Sequence, residues 1–240
     1  MYKLPPYQIQ HLIFDCLSEC DSDNKQMVTL SDVIIDESTD TTFLHRIIPD
    51  NVLSLYVRLL TDGEEVLSWI ERLKRLQYIF ISIKGLSHLK IAMLLSLIEE
   101  TPCRSVILSG VNCTTSDCNG HEVNLSKQDQ LRRLELVRCS HVKIADTNPA
   151  NLEILRLVCT SDNVLAVDCL GNLKELYLEG SLSNHVKYHT ELSSAVQTFH
   201  QLRKLSLRGA DIDENVLFVT TRMRNLSHIE LYTVRVSLET

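Results

Sequence analysis

One apolar pattern constrains this chain more than any other feature. Written apolar-x-x-apolar-x-apolar, it is clearest at Leu131-Leu134-Leu136, Leu152-Leu155-Leu157, Leu173-Leu176-Leu178, Leu202-Leu205-Leu207 and Leu226-Ile229-Leu231. Upstream it recurs as Leu76-Ile79-Ile81 and Cys103-Val106-Leu108, and more weakly as Val52-Leu55-Val57 and Leu30-Val33-Ile35. From Val52 onward the starts lie at 52, 76, 103, 131, 152, 173, 202 and 226, so successive spacings are 24, 27, 28, 21, 21, 29 and 24. In a short strand, side chains alternate between faces, so the second and third apolar residues of each unit point the same way. The first closes the turn that leads into the strand. One such unit cannot bury its own apolar face, and stacking its neighbours against it creates a continuous core. Each fully buried Leu or Ile then contributes roughly 1.5–3 kcal/mol.

The return paths between strands set the period, and they differ. Glu64 to Leu76 carries Val66, Leu67, Ile70, Leu73 and Leu76 at helical spacing. Ser87 to Glu100 carries Leu89, Ala92, Met93 and Leu97 and stops before Pro102. Val186 to Phe199 and Asp213 to Met223 also read as helices. The two 21-residue units leave room only for an extended or one-turn return. Gln8 to Leu17, after a Pro-Pro start, places Ile9, Leu12, Ile13, Cys16 and Leu17 on one helical face, a candidate cap for the first unit. Asp36 to Asp50 is polar and reads as a loop. The expected architecture is α/β: a solenoid with a curved parallel sheet on its concave side and helices and turns on its convex side. Residues 1–29 form an N-terminal helical segment, and residues 30–240 hold eight or nine irregular repeats. After Leu231 only nine residues follow, so the last strand is expected to present an open edge, as in a piece of a larger protein.

Segments such as Leu131-Arg132-Arg133-Leu134-Glu135-Leu136 and Leu173-Lys174-Glu175-Leu176-Tyr177-Leu178 resemble leucine-rich-repeat proteins, over residues 76–231. A narrower resemblance lies at the front. His11 to Cys20 is similar to the helix that precedes the repeats of NOD-like receptors, and Pro49 to Leu60 resembles the lead-in that follows it there. This resemblance implies the C-terminal repeat region of an invertebrate-like NOD-like receptor, and with it ligand sensing or autoinhibition in innate immunity. The alternative is the substrate-recognition arm of an F-box-type ubiquitin ligase adaptor, because Cys139 resembles the cysteine-containing repeats of that group and Leu4-Pro5-Pro6 with Ile13-Phe14 is similar to an F-box start. The asparagine that follows the strand in vertebrate receptors is replaced here by Cys139, Thr160, Ser181 and Ala210. No G-x-x-x-x-G-K-[ST] phosphate loop occurs in the chain.

Composition narrows the partners. The net charge of −7 disfavours nucleic acid and anionic membranes. No stretch of 18 uninterrupted apolar residues occurs, so membrane insertion is not expected. Met1 to Pro6 does not read as a signal peptide, which places the chain in the cytoplasm and argues against disulfides among its eight cysteines. Sequons occur at Asn112, Asn124 and Asn225. Asn225 precedes a repeat strand as Asn151 and Asn172 do, which favours a turn residue over a glycan site.

No catalytic set emerges, so the chain reads as a non-enzymatic module without cofactor. Cys113-x4-Cys118-x2-His121, with Cys103 upstream, is the one group with ligand-like spacing. Zinc needs four ligands in tetrahedral geometry, and no C-x2-C pair is present. The residues are therefore read as a solvent loop with ordinary cysteines and no metal, with a Cys113–Cys118 bridge as the alternative under oxidising conditions. His185 and His189 share a helical face but lack a third ligand. Asp211, Asp213 and Glu214 read as capping acids for the helix after them.

Function in stacked arrays resides on strand residues that point away from the core. The column between the second and third apolar positions runs Ile34, Tyr56, Phe80, Ile107, Glu135, Arg156, Tyr177, Ser206 and Glu230. The column before it runs Asp32, Ser54, Tyr78, Ser105, Arg133, Ile154, Glu175, Lys204 and His228. Tyr56, Tyr78, Phe80 and Ile107 are expected to form an exposed apolar patch, with Glu135, Arg156, Tyr177 and Glu230 continuing the surface as a charged half. Glu135, Arg156, Glu175 and Lys204 are placed to pair across strands. The expected partner is a protein or peptide, or the chain's own upstream domains. The competing reading is that Asp36–Asp50 or the N-terminal helix covers the patch.

Overall fold

The computed structural model describes residues 10, 12, 13, 15, 27–59, 63–114, 118, 120–139, 141–144, 151–159, 171–180, 186, 187 and 199–237. Every repeat of the apolar pattern becomes a strand of one sheet. The nine strands are β1 (Asp32–Asp36), β2 (Ser54–Leu59), β3 (Tyr78–Ile83), β4 (Ser105–Ser109), β6 (Arg133–Val137), β8 (Ile154–Val158), β9 (Glu175–Glu179), β11 (Lys204–Arg208) and β13 (His228–Tyr232). They pair in chain order, and all pairs are parallel. Short strands follow them outside the main sheet. β5 (His121–Val123) pairs with β7 (Val142–Ile144), and β10 (Val186–Lys187), β12 (Ala210–Asp213) and β14 (Arg235–Ser237) form a three-stranded group. The result is an α/β protein with a long all-parallel sheet and few helices.

The register has no slip. Val33, Leu55, Ile79, Val106, Leu134, Leu155, Leu176, Leu205 and Ile229 are successive pairing partners. A one-residue slip would turn a whole inward column outward, so burial fixes the register. Eight of these nine residues are at most 2% exposed, and with the return segments they form one contiguous core. Ile229 is 47% exposed, because no further strand stacks on β13 among the described residues.

A backbone ladder repeats at each strand's lead-in. The carbonyl of Leu53 accepts from Gln77 and Tyr78, that of Gln77 from Arg104 and Ser105, and that of Arg132 from Glu153 and Ile154. The same two-donor arrangement occurs at all eight junctions, from Ser31 to Arg203. A side-chain ladder runs beside it. The residue before the first apolar position reaches the previous repeat's carbonyl: Asn151 Nδ2 donates to Asp129 O at 2.7 Å, Asn225 Nδ2 to His200 O at 2.7 Å and Arg75 Nη1 to Asp50 O at 3.4 Å. Asparagine therefore does link repeats in this chain, ahead of the strand at Asn151 and Asn225 and after it at Asn112, whose Nδ2 donates to Arg138 O at 2.9 Å. The amide of Asn225 is occupied in that bond, in keeping with its reading as a turn residue. After the strand, Cys139 takes the linking position, with its thiol donating to Leu108 O at 3.4 Å. Burial pushes that thiol up to about 11.

The return segments follow the sequence in outline. α1 (Glu64–Ile70) and α2 (His88–Glu100) fall within the predicted helical spans, and α3 (Glu214–Thr220) falls within Asp213–Met223. Gly63 precedes α1 in the left-handed region at φ 51, and a Cβ there would lie 2.5 Å from Leu59 Cδ1. Ser87 caps α2, its hydroxyl accepting from Lys90 N–H. The buried face of α2 is Ile91, Leu94, Leu95, Leu97 and Ile98, whereas Leu89 and Met93 are exposed. Of the apolar residues expected on this helix Leu97 is buried, and Ile91, Leu94, Leu95 and Ile98 join it in the core. Asp36–Asp50 is more ordered than a loop. It holds 3-10 turns at Thr41–Arg46, capped by Asp40, and at Pro49–Asn51, with Leu44 and Ile47 in the core. Val186–Lys187 is strand rather than the start of a helix, since its backbone pairs with Ala210–Asp211. Residues 188–198 of that span, which include His189, and His185 before it lie outside the described residues. Asp211 and Asp213 lie in β12, with Asp213 directly before α3, and Glu214 occupies the first turn of that helix.

At the front, Gln10, Leu12, Ile13 and Asp15 are helical. The side-chain amide of Gln10 acts like one residue of a neighbouring strand. Its Oε1 accepts from Ile34 N–H at 2.7 Å and its Nε2 donates to Ile34 O. Gln10 is 4% exposed and satisfies part of the β1 edge. Ile13 packs on the core, while Leu12 points to solvent at 62% exposure, against its expected place on the apolar face. No helix among the described residues is long and apolar enough to cross a membrane.

Candidate binding surface

The outward column emerges as the register requires. Ile34, Tyr56, Phe80, Ile107, Glu135, Arg156, Tyr177, Ser206 and Glu230 are successive partners on the sheet face opposite the core. Ile34 is buried beside Gln10. Tyr56, Tyr78, Phe80 and Ile107 are half-buried, neither fully exposed nor covered. Adjacent strands lie about 4.8 Å apart, so rings on paired residues are held at stacking distance. Tyr56 and Phe80 stack with centroids 4.3 Å apart and planes at 6°. Such a pair contributes about 0.5–1.5 kcal/mol beyond its burial.

These rings line an open cleft of about 680 Å³, bounded by Ile107 and Tyr78 and by three arginines at the strand lead-ins, Arg104, Arg132 and Arg133. Two of the arginines are engaged. Arg132 pairs with Glu153 at 2.5 Å, and Arg133 Nε donates to Glu135 at 2.6 Å. The guanidinium of Arg104 makes no ion pair among the described residues. Cleft and cation together suit a ligand with an apolar anchor and a nearby negative charge.

The other half of the face is paired with itself. Glu135 is 5% exposed and lies between Arg133 and Arg156, the latter at 3.7 Å. Glu153 bridges Arg132 and Lys174, and its carboxyl is held below the usual value, chiefly by the hydrogen bond from Lys174. Tyr177 donates its hydroxyl proton to Glu175 at 2.7 Å, and burial pushes that hydroxyl up to about 12. Lys204 lies 5.3 Å from the Tyr177 ring and pairs with Glu230 at 3.3 Å, so the expected Glu175–Lys204 pair does not form. Glu230 also meets His228 at 2.8 Å, Ser206 at 3.0 Å and Arg208 at 3.7 Å. Its pKa falls to about 2, led by the His228 hydrogen bond. Of the predicted surface residues, Tyr56, Tyr78, Phe80 and Ile107 thus share one cleft. Glu135, Arg156, Tyr177 and Glu230 belong to an internally satisfied network. Arg133 belongs to the second of the two columns read from the sequence, whereas Arg104 and Arg132 were missed because they sit one position outside them.

A second group gathers away from this face. Cys113, Cys118 and His121 come together as their spacing suggested, but the fourth member is His88 at the start of α2. Cys103 is elsewhere, buried with its thiol toward Leu76 O, and burial pushes that thiol up to about 12. His121 is 8% exposed, so this stretch is not simply a solvent loop. Cys113 and Cys118 are thiols, with no bridge between them.

Compared with known protein families and with curated proteins, the chain matches none.

Proposed function

We propose that this chain is a leucine-rich-repeat solenoid that acts as a non-enzymatic interaction module, with the Tyr56–Phe80 cleft as its ligand site. One observation carries the reading. On a face whose charged half is internally paired, the aromatic cleft offers stacked, half-exposed rings beside Arg104, which forms no ion pair among the described residues. The partner that fits is a peptide segment with a large apolar or aromatic side chain next to a carboxylate. The apolar group enters between Tyr56, Phe80 and Ile107, and the carboxylate meets Arg104. The period of 21–29 residues and the repeated strand pattern support the repeat assignment. The further identity, the repeat region of a NOD-like receptor acting in the cytoplasm, draws on the similarity at His11–Cys20. The helical segment at Gln10, docked on β1, sits where a lead-in helix would.

Panning a peptide display library on the full chain tests the site. Selected peptides should pair an apolar anchor with an acidic residue or a free C-terminus. Phe80→Ala and Arg104→Glu should each weaken them at least about tenfold, the scale of one hot-spot contact. Tyr177→Ala should leave them unchanged. Ligands that bind equally well after Phe80→Ala would place the site elsewhere.

A further inference from the structure

We propose that His88, Cys113, Cys118 and His121 form a structural zinc site that clips two successive return segments together. One ligand atom from each residue lies within 4.8 Å of all the others. In a tetrahedral site with Zn–S near 2.3 Å and Zn–N near 2.0–2.1 Å, ligand atoms sit about 3.3–3.8 Å apart. Cys118 Sγ and His88 Nδ1 are already 3.7 Å apart. Small rotations of side chains close the rest. The donor set is two thiols and two imidazoles without a carboxylate, which suits zinc among the common divalent ions. Four protein ligands leave no open position, so the site is structural rather than catalytic.

A second observation points the same way. His121 is 8% exposed, and its Nε2 is buried without a hydrogen-bond partner among the described residues. Buried polar atoms are almost always satisfied, and a metal bond would satisfy this one. Its ring lies 4.1 Å from that of His88, tilted by 40°.

The backbone holds the group in place. Ser87 caps α2 and so sets His88 at the first helical position. Leu86 and Cys113 form a parallel bridge, and Thr114 N–H donates to Leu86 O at 3.0 Å. His121 N–H donates to His141 O at 2.7 Å, and β5 pairs with β7. His88 therefore comes from the β3–β4 return, and the other three ligands come from the β4–β6 return. The metal would cross-link two repeats outside the sheet.

The test uses the full chain, purified reduced and metal-free, and titrated with Co²⁺ and then Zn²⁺. One equivalent of Co²⁺ should give intense tetrahedral d–d bands with a thiolate charge-transfer band, and Zn²⁺ should displace it. His88 is exposed, so His88→Ala removes a ligand without opening the core. It should weaken zinc binding by on the order of 100-fold, at least what loss of a partner to a metal ligand costs, with an unchanged far-UV spectrum. Cys159→Ser, at a thiol away from the group, should bind zinc normally. Absence of tetrahedral thiolate bands, equal affinity in His88→Ala, or a Cys113–Cys118 disulfide in protein taken from cells with its thiols trapped would each overturn the proposal.

Discussion

Single polar side chains finish what the apolar columns begin. Gln10 and Gln128 are both almost fully buried, and both use their amides on backbone. Gln128 Nε2 donates to the carbonyls of Ile98 and Glu99 at the end of α2, while its Oε1 accepts from Cys103 N–H. Neither role is visible in sequence, because a glutamine among polar neighbours reads as surface. Glu230 makes a sharper prediction. Its carboxyl falls from an ordinary value of 4.5 to about 2. A depressed carboxylate stabilises the fold above its unfolded pKa, and that contribution is lost as pH falls through the folded value. Stability should therefore decline between about pH 4.5 and pH 2. A carboxyl-carbon NMR titration should place the Glu230 midpoint near 2, and His228→Ala should raise it. A midpoint near 4.5 in the unaltered chain would contradict the network.

Strand and turn together define the repeating element. Seven residues past the first apolar position, the backbone turns left-handed at Gly110, Arg138, Cys159, Gly209 and Thr233. The turn requires a conformation that glycine adopts freely, and three of the repeats hold it with other residues at some cost. Within the strand, the inward and outward columns should respond differently. Leu155→Ala or Leu176→Ala should cost about 2–5 kcal/mol in urea denaturation, since each is buried in the core. Phe80→Ala should cost less, about the 0.5–1.5 kcal/mol of its stacking plus half a ring of burial. Unfolding of Phe80→Ala would show that ring to be core. All nine strands and their register were legible in sequence, because a period-2 pattern repeated at similar spacing admits few alternatives. The inner face of α2 was not, since Leu89-Met93 and Ile91-Leu94-Ile98 compete on one helix. The fourth sulfur-or-nitrogen ligand was hidden too. His88 lies 25 residues before Cys113 and becomes its neighbour only once consecutive returns stack.

Along the described residues of the molecule, each of the nine strands pairs with its neighbours in chain order. Stability in such an array is roughly a sum of repeat and interface terms rather than the property of one centre. Protection should therefore vary with position. Amide hydrogen exchange should be slowest in β3, β4, β6 and β8, which have partners on both sides. It should be fastest in β13, where Ile229 and Leu231 are each 47% exposed while their counterparts Leu205 and Leu207 are fully covered. Equal protection of β13 and β6 would mean the array opens as a single unit.

The lead-in ladder gives this array a latitude that a conventional core does not have. Stacking at every junction runs through main-chain carbonyls and N–H groups, which are the same whatever side chains flank them. Residues on the outward face can therefore be exchanged without disturbing how one repeat seats on the next. Tyr56, Phe80 or Ile107 could be rewritten while leaving the scaffold intact, so the chemistry of this surface and the foldability of the chain can evolve on nearly separate residues.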